Sequence, residues 1–354
     1  MLNGIVADHP HADQPDDNNR ILIAWNVRRN KIFSITADPG KILRMEPMKH
    51  YRQHFIRRNL MLRADILRAI RLFFVQNDYL EVETPIRIPA PAPETHIDAQ
   101  EADGWFLQTS PELCMKRLLA AGFPRIFQIC RCFRKQERGR NHLPEFTLLE
   151  WYTAGHTYLK MMIQCENLIQ FVAATVGHPT FIMYRNCRIS LSSPWDRMTV
   201  SEAFDRYAQT SMIDALAQDR FDEIMATQIE PFLGNDRPLF IHDYPASCSA
   251  LARLKPDNPS VAERFELYVA GLELCNAFTE LTDPIEQRSR FEAEQRLRRH
   301  AGKQVYPLPE SFLTALNDMP LSSGNAMGVD RLILLLTDAN SIDDVVSFIP
   351  EELE

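Results

Sequence analysis

A chain of 354 residues, 45% hydrophobic and 24% charged, is long enough to bury one large core or two ordinary ones. Its net charge of −8 argues against generic nucleic-acid binding, which wants a basic surface, while leaving room for a local basic patch. No run approaches the ~18 apolar residues of a membrane helix, and seven cysteines without a C-x-x-C pair point to reduced cytoplasmic thiols rather than a disulfide frame or zinc site.

Residues 1–19 are polar and acidic, lack a signal-peptide pattern and read as disordered, with His9 and His11 read as no metal site. Residues 20–46 hold two apolar runs, ILIAWNV and KIFSI, that suit a small hairpin. The resulting N-terminal extension, 1–48, is too short for a nucleic-acid-binding barrel. From Tyr51 to Asn77, apolar residues from Phe55 to Phe74 recur at helical spacing. Arg52, Arg57, Arg58, Arg63, Arg68 and Arg71 decorate the remainder as a solvated face. Glu81–Pro85 reads as a strand stopped by proline, Trp105–Thr109 as a short strand, and Pro111–Ala121 as a helix with Thr109 or Ser110 as N-cap. Ile126–Phe133 and Phe146–Tyr152 alternate as strands around a basic loop. Residues 157–176 suit a helix, and 199–233 a helical, acidic insertion. Leu239–His242 is strand-like, and Glu263–Val269 with Leu272–Leu274 flank Gly271 as a hairpin. Helices over Glu286–His300, 310–317 and Val329–Leu336 complete the pattern. Antiparallel strands interspersed with helices make the fold class α+β.

Two runs carry nucleotide chemistry. Phe133–Tyr152 (FRKQERGRNHLPEFTLLEWY) offers Arg134, a basic loop with Arg138, Arg140 and His142, and one aromatic, Phe146. Gly324–Leu332 (GNAMGVDRL) offers small residues at every other position and then Arg331. Cations suit phosphates, an aromatic face suits a base, and small residues allow close backbone approach. Neither run is a P-loop or a G-x-G-x-x-G fingerprint, so an ATP site here belongs to another architecture. Glu266, Glu273 and Glu280 recur seven apart. On a helix they would form a solvated stripe, but Gly271, Asn276 and the strand-like alternation oppose a helix. Across a hairpin the same spacing aims carboxylates into one cavity, where two suit Mg²⁺ beside phosphates and a third suits an ammonium.

Together with SPELCMKRLLAAG (110–122), HLPEFTLLEWY and ELCNAFTELTD, these motifs resemble the catalytic domain of class II aminoacyl-tRNA synthetases of the lysyl subgroup. The resemblance covers about residues 50–350 and implies a catalytic domain over 49–354, an antiparallel sheet flanked by helices. Within that group the chain is similar to the shortened paralogues that lysylate translation elongation factor P. No full anticodon-binding barrel precedes the domain, Ser110 stands where true lysyl-tRNA synthetases usually have Ala, and Ala326 where they usually have Gly. The resemblance implies ATP, (R)-β-lysine and a lysine of elongation factor P as substrates, Mg²⁺ as cofactor, and a homodimer through the first helix and the Pro85 strand. It implies no tRNA partner, with a compact lysyl-tRNA synthetase or a non-catalytic regulatory paralogue as alternatives.

Roles carry over residue by residue. Arg134 holds the α-phosphate and Arg331 the γ-phosphate, which His142 also reaches. Phe146 and Arg331 sandwich adenine, and Lys135, Gln136, Leu143, Leu274 and Gly328 complete the ATP contacts. Glu266 and Glu273 take Mg²⁺. Glu280 with Tyr152 binds the ε-ammonium and Glu112 the other amine, with Ser110, Pro111, Asn276 and Ala326 around the amino acid. The chain departs from the family at Lys135-Gln136, where Asn-Glu is usual, at Leu143 in place of Asn, and at Ala277 and Thr279 in place of Gly and His. No general base for the acceptor lysine is evident.

Overall fold

The computed structural model describes residues 51–353, and by backbone alone two earlier strands, β1 (Ile21–Asn26) and β2 (Lys31–Thr36). These strands pair antiparallel, from Ile21↔Thr36 to Asn26↔Lys31, as the two apolar runs suggest. Residues 1–19, with His9 and His11, lie outside the described residues. The chain divides into two compact units, Met1–His54 and Phe55–Glu354.

In chain order, a single turn α1 (Arg52–Phe55) precedes α2 (Arg57–Gln76) and β3 (Leu80–Glu81). A small sheet of β4 (Arg87–Ile88), β5 (Glu101–Ala102) and β6 (Trp105–Leu107) leads to α3 (Glu112–Ala120), β7 (Arg125–Phe133), β8 (Glu145–Ala154) and α4 (Tyr158–Thr175). The hairpin β9 (Phe181–Tyr184) and β10 (Cys187–Ser190) is followed by β11 (Asp196–Thr199) and the short helices α5 (Val200–Tyr207), α6 (Met212–Ala217) and α7 (Phe221–Ile224). Strands β12 (Leu239–Pro245), β13 (Leu254–Lys255), β14 (Asn258–Val269) and β15 (Leu272–Thr279) come next. Helices α8 (Pro284–His300) and α9 (Glu310–Ala315), strand β16 (Ser322–Gly328) and α10 (Val329–Thr337) complete the unit.

One large sheet runs β11-β12-β14-β15-β16-β8-β7-β3, with β13 on β14. Its interior is antiparallel, but β11–β12 and β3–β7 pair parallel, so the sheet is mixed at its edges. A parallel pair needs a crossover. The helical stretch after β11 is that crossover, and it enters β12 through a π-helical turn (Met225–Ile229) and a 3-10 turn (Glu230–Phe232).

One face of the sheet packs on α2, α4 and α10. Phe74 of α2 is fully buried and stacks on Phe127 of β7 at 4.5 Å between ring centres. Truncating it to Ala removes about 3–5 kcal/mol. Arg63 departs from the solvated face expected of this helix. Its guanidinium donates to Asp330 Oδ1 (2.6 Å) and Thr147 Oγ1 (2.7 Å), while Asp330 Oδ2 accepts from the Thr147 amide (2.8 Å). Asp330 thus fastens α2, β8 and α10 directly beneath Arg331. The other face carries the site, walled by α3, α8, the crossover helices and the loop around Glu94.

Register decides which side chains reach that face. The β14–β15 turn uses Ala270 (φ 51°) and Gly271 (φ 70°), both left-handed as a tight two-residue hairpin requires. A β-bulge then shifts the pairing, from Leu267↔Cys275 to Tyr268↔Glu273, leaving Leu274 unpaired. In an unbroken strand Glu273 and Glu280, seven apart, would face opposite sides. The extra residue of the bulge reverses the phase. Glu273, Asn276 and Phe278 therefore face the site, while Cys275 and Ala277 enter the core.

Candidate active site

A cavity of about 840 Å³ lies over the sheet. Its floor is a set of transverse rows. One row reads Glu266–Asn276–Ala326–Glu150 across β14, β15, β16 and β8. The next reads Arg264–Phe278–Gly324–Tyr152. The small residues of β16 thus form a low strip between two polar walls. At Gly324 even one added carbon would collide with the Tyr152 ring and the Glu280 carboxylate.

At one end the sheet brings cationic groups together. Arg134 lies over the Phe146 ring, 5.1 Å from its centre, and its Nε is buried with no hydrogen-bond partner. The side chain is half-buried and Nη1 lies 3.8 Å from Glu137 Oε2, but the buried unused Nε donor suits an anion. Arg331 donates to the Glu273 carbonyl (2.8 Å) and to Glu273 Oε2 (3.1 Å). Its Nη2 lies 2.6 Å from His142 Nε2. Arg331 has only donors, so Nε2 accepts and the ring is neutral with its proton on Nδ1. Burial and Arg331 both push the His142 pKa down, in agreement.

Beside them stand the paired carboxylates. Glu266 accepts from Arg264 Nη2 (2.5 Å) and from the hydroxyls of Tyr244 and Tyr268 (2.7 Å each). Burial and the neighbouring Glu273 raise its pKa. Burial acts to raise Glu273 as well, but Arg331, with Arg134 and Arg264, outweighs it and holds that carboxyl low. Glu230, from the turn entering β12, adds a third acid. Burial, Glu266 and Glu273 push its pKa up to about 7. Among the described residues no group of three or more His, Cys, Asp and Glu is arranged to hold a metal. A divalent ion here therefore needs further oxygens, as Mg²⁺ normally takes from substrate phosphates. The mutual repulsion of Glu266 and Glu273 is what such an ion relieves, and in that respect these residues fit it.

The opposite end is acidic and buried. Glu150 accepts from Ser110 Oγ (2.5 Å) and Tyr152 Oη (2.8 Å). Lys116 of α3, fully buried, lies 2.5 Å from both Glu112 Oε1 and Glu280 Oε2. Two carboxyl groups thus share one ammonium, which acts on the third, Glu150, only through space. Burial, then Glu112, pushes the Glu150 pKa up to about 8. Burial also raises Glu280 to about 8 against the pull of Lys116. Burial acts against the Lys116 charge, but Glu112 and Glu280 raise its pKa, so the ammonium stays charged. With too few cations, the cluster retains a proton near neutral pH.

The cavity wall includes Arg134, His142, Leu143, Phe146, Leu274, Gly328 and Arg331 of the expected ATP contacts. It also includes Ser110, Glu112, Tyr152, Asn276 and Ala326 of the amino-acid contacts, and both expected metal ligands. Leu143 packs simultaneously into the main core, 4% exposed, which accounts for an apolar residue at that position. Four expected residues are not on the wall. Lys135 and Gln136 are exposed in a turn where Gln136 takes a left-handed φ of 66°. Pro111 is buried at the start of α3. Glu280 is 0% exposed, set behind Gly324 and held by Lys116. The sequence reading passed over Glu150, Lys116, Glu230, Arg264 and Glu94. Glu150 was hidden within the apolar run of β8, although a charged residue in a run that otherwise reads as core is itself a signal.

Residues 41–352 match the family described as tRNA synthetases class II (D, K and N). The chain is similar to proteins named elongation factor P–(R)-β-lysine ligase. That of Hamiltonella defensa is 38% identical over 308 residues, covering 82% of this chain and 94% of that protein. Those of Pectobacterium atrosepticum and Edwardsiella ictaluri are 40% identical over 309 and 310 residues, with the same coverage. The chain belongs to the class II tRNA synthetase family.

Proposed function

We propose that this protein activates (R)-β-lysine with ATP and transfers it to a lysine side chain of elongation factor P. The observation that carries the reading is the polarity of the cavity, with unsatisfied guanidinium capacity at one end and buried carboxyls short of a counter-ion at the other. A diamino acid and a nucleotide triphosphate complement those ends, and the names of the similar proteins supply the amino acid and the acceptor.

The first step joins the amino-acid carboxylate to the α-phosphorus of ATP and releases pyrophosphate. Such a reaction is mostly positioning and charge neutralisation. Arg134 holds the α-phosphate, Arg331 and His142 the γ-phosphate, and Phe146 the adenine face. Glu266 and Glu273 hold Mg²⁺, which supplies neutralisation of the phosphates when bound. Glu150 and Tyr152 take one ammonium of the substrate, with Glu280 behind them, and Glu112 faces the other. Ala326 lies between Glu150 and Asn276, where its methyl trims the floor under the amino-acid backbone. Asn276, Ser110 and Gly324 complete that end.

Met61, Leu72 and Val75 of α2 and Leu80 of β3 are exposed. They support a homodimer through this helix, which the molar mass in solution by light scattering at several concentrations tests. Among the described residues no helix is long and apolar enough to cross a membrane. The substrates of this reading support a cytoplasmic location. The acceptor assignment is tested by intact-mass analysis of elongation factor P after incubation with the enzyme, ATP and (R)-β-lysine. An added β-lysyl mass supports it. Charging of tRNA with α-lysine instead supports a compact synthetase.

A further inference from the structure

The adenylate needs an amine nucleophile, and a protein lysine arrives as an ammonium that must first lose a proton. Glu94 is a half-buried carboxyl on the cavity wall that makes no hydrogen bond or ion pair among the described residues. Its backbone, by contrast, is clamped. The fully buried Arg298 of α8 donates to the Glu94 carbonyl (2.7 Å) and the Ile97 carbonyl (3.0 Å), and Glu294 accepts from the Thr95 amide (2.9 Å). A rigidly held loop that presents a carboxyl with no structural partner is an arrangement for chemistry rather than packing.

Resting on the reading above, we propose that Glu94 is the general base that deprotonates the acceptor lysine for attack on the aminoacyl-adenylate. Charged groups face it from four elements. Glu112 of α3 and Glu294 of α8 repel its ionised form, while Arg134 after β7 and Arg264 of β14 favour it. Burial and Glu112 prevail and bring its pKa to about 7, suited to a base at neutral pH. Glu94 takes one proton from the lysine ammonium. The freed amine forms the new C–N bond at the adenylate carbonyl, and the C–O bond to phosphate breaks. AMP departs with that electron pair, and the second nitrogen proton passes to its phosphate. The Glu94 proton returns to solvent.

The test separates transfer from activation. Wild type, Glu94→Gln and Glu94→Asp are loaded with adenylate, then given either elongation factor P or hydroxylamine, an amine already unprotonated at neutral pH that needs no base. Glu94→Gln is expected to slow transfer to elongation factor P by about 100-fold or more relative to its hydroxamate yield. Glu94→Asp is expected to recover part of the rate. Wild-type transfer is expected to rise with pH to a plateau above about 7, a limb that Glu94→Gln loses. Unchanged transfer, or equal loss of transfer and hydroxamate, overturns the base assignment while leaving the activation reading intact. Wild-type protein that forms no adenylate overturns that reading, and the base with it.

Discussion

The ammonium of Lys116 sits 2.5 Å from Glu280 Oε2, with neither side chain exposed to solvent. The same ammonium serves Glu112, and no aligned hydrogen-bond donor satisfies either Glu280 oxygen. The amino-acid end is therefore held together by one interior cation for several carboxyls. Removing that cation leaves buried charges uncompensated. Lys116→Met is expected to lower unfolding free energy by about 3–5 kcal/mol, read by denaturant titration. Lys116→Arg, too large for the space, is expected to destabilise by a smaller amount.

The acidic cluster also sets a pH dependence. In the folded protein Glu150 and Glu280 each titrate at about 8, against 4.5 as the reference value. The native state therefore binds more protons than the unfolded chain between those values. The stability so gained is full below about 4.5 and is lost as pH rises through about 8. The melting temperature of the ligand-free protein is expected to fall across this window, with acid losses elsewhere limiting the low end. A bound diamino acid supplies the missing cation, so its presence is expected to flatten the fall. Its binding is also expected to release protons, measurable by calorimetry in buffers of differing ionisation enthalpy.

Gly324 is needed for space. Its φ is not left-handed, but a Cβ would overlap the Tyr152 ring and the Glu280 carboxylate. Gly324→Ala is expected to cost about 1–3 kcal/mol of stability and to abolish amino-acid-dependent activity. Gly328→Ala meets only the stem of Arg331 at 3.5 Å or more and is expected to be mild. Comparing the two variants by thermal melting and pyrophosphate exchange separates cradle from strand effects.

At the nucleotide end, Arg331 bridges Glu273 and His142 with different nitrogens, a geometry lysine lacks. Arg331→Lys is expected to lower kcat/KM for ATP by about 100-fold, or ~2.7 kcal/mol. The KM for the amino acid is expected to change little, because the acidic end is built from other strands.

Much of this was legible locally. The helical spacing of Ile66, Ile70, Phe73 and Phe74 marks the buried face of α2, and Gly271 marks the β14–β15 turn. The motifs name most of the nucleotide wall. What sequence could not supply was register. Nothing local says that β16 lies between β8 and β15, yet that placement sets Ala326 between Glu150 and Asn276. The bulge at Leu274, which turns Glu273 and Glu280 to the same side, arises from pairing with β14. Glu94 lies in a proline-rich loop without periodicity, and Arg298 and Glu294, about two hundred residues later, help fix its place. Arg63 read as a surface charge because its partner Asp330 lies far along the chain.

The central claim is that this cavity joins ATP to a diamino acid. ATP–pyrophosphate exchange with purified protein and Mg²⁺ tests it most directly, comparing (R)-β-lysine, α-lysine and no amino acid, with Glu280→Ala alongside. The account predicts exchange driven by (R)-β-lysine, weaker with α-lysine, and lost in Glu280→Ala. Folded protein that supports no exchange with any amino acid contradicts it.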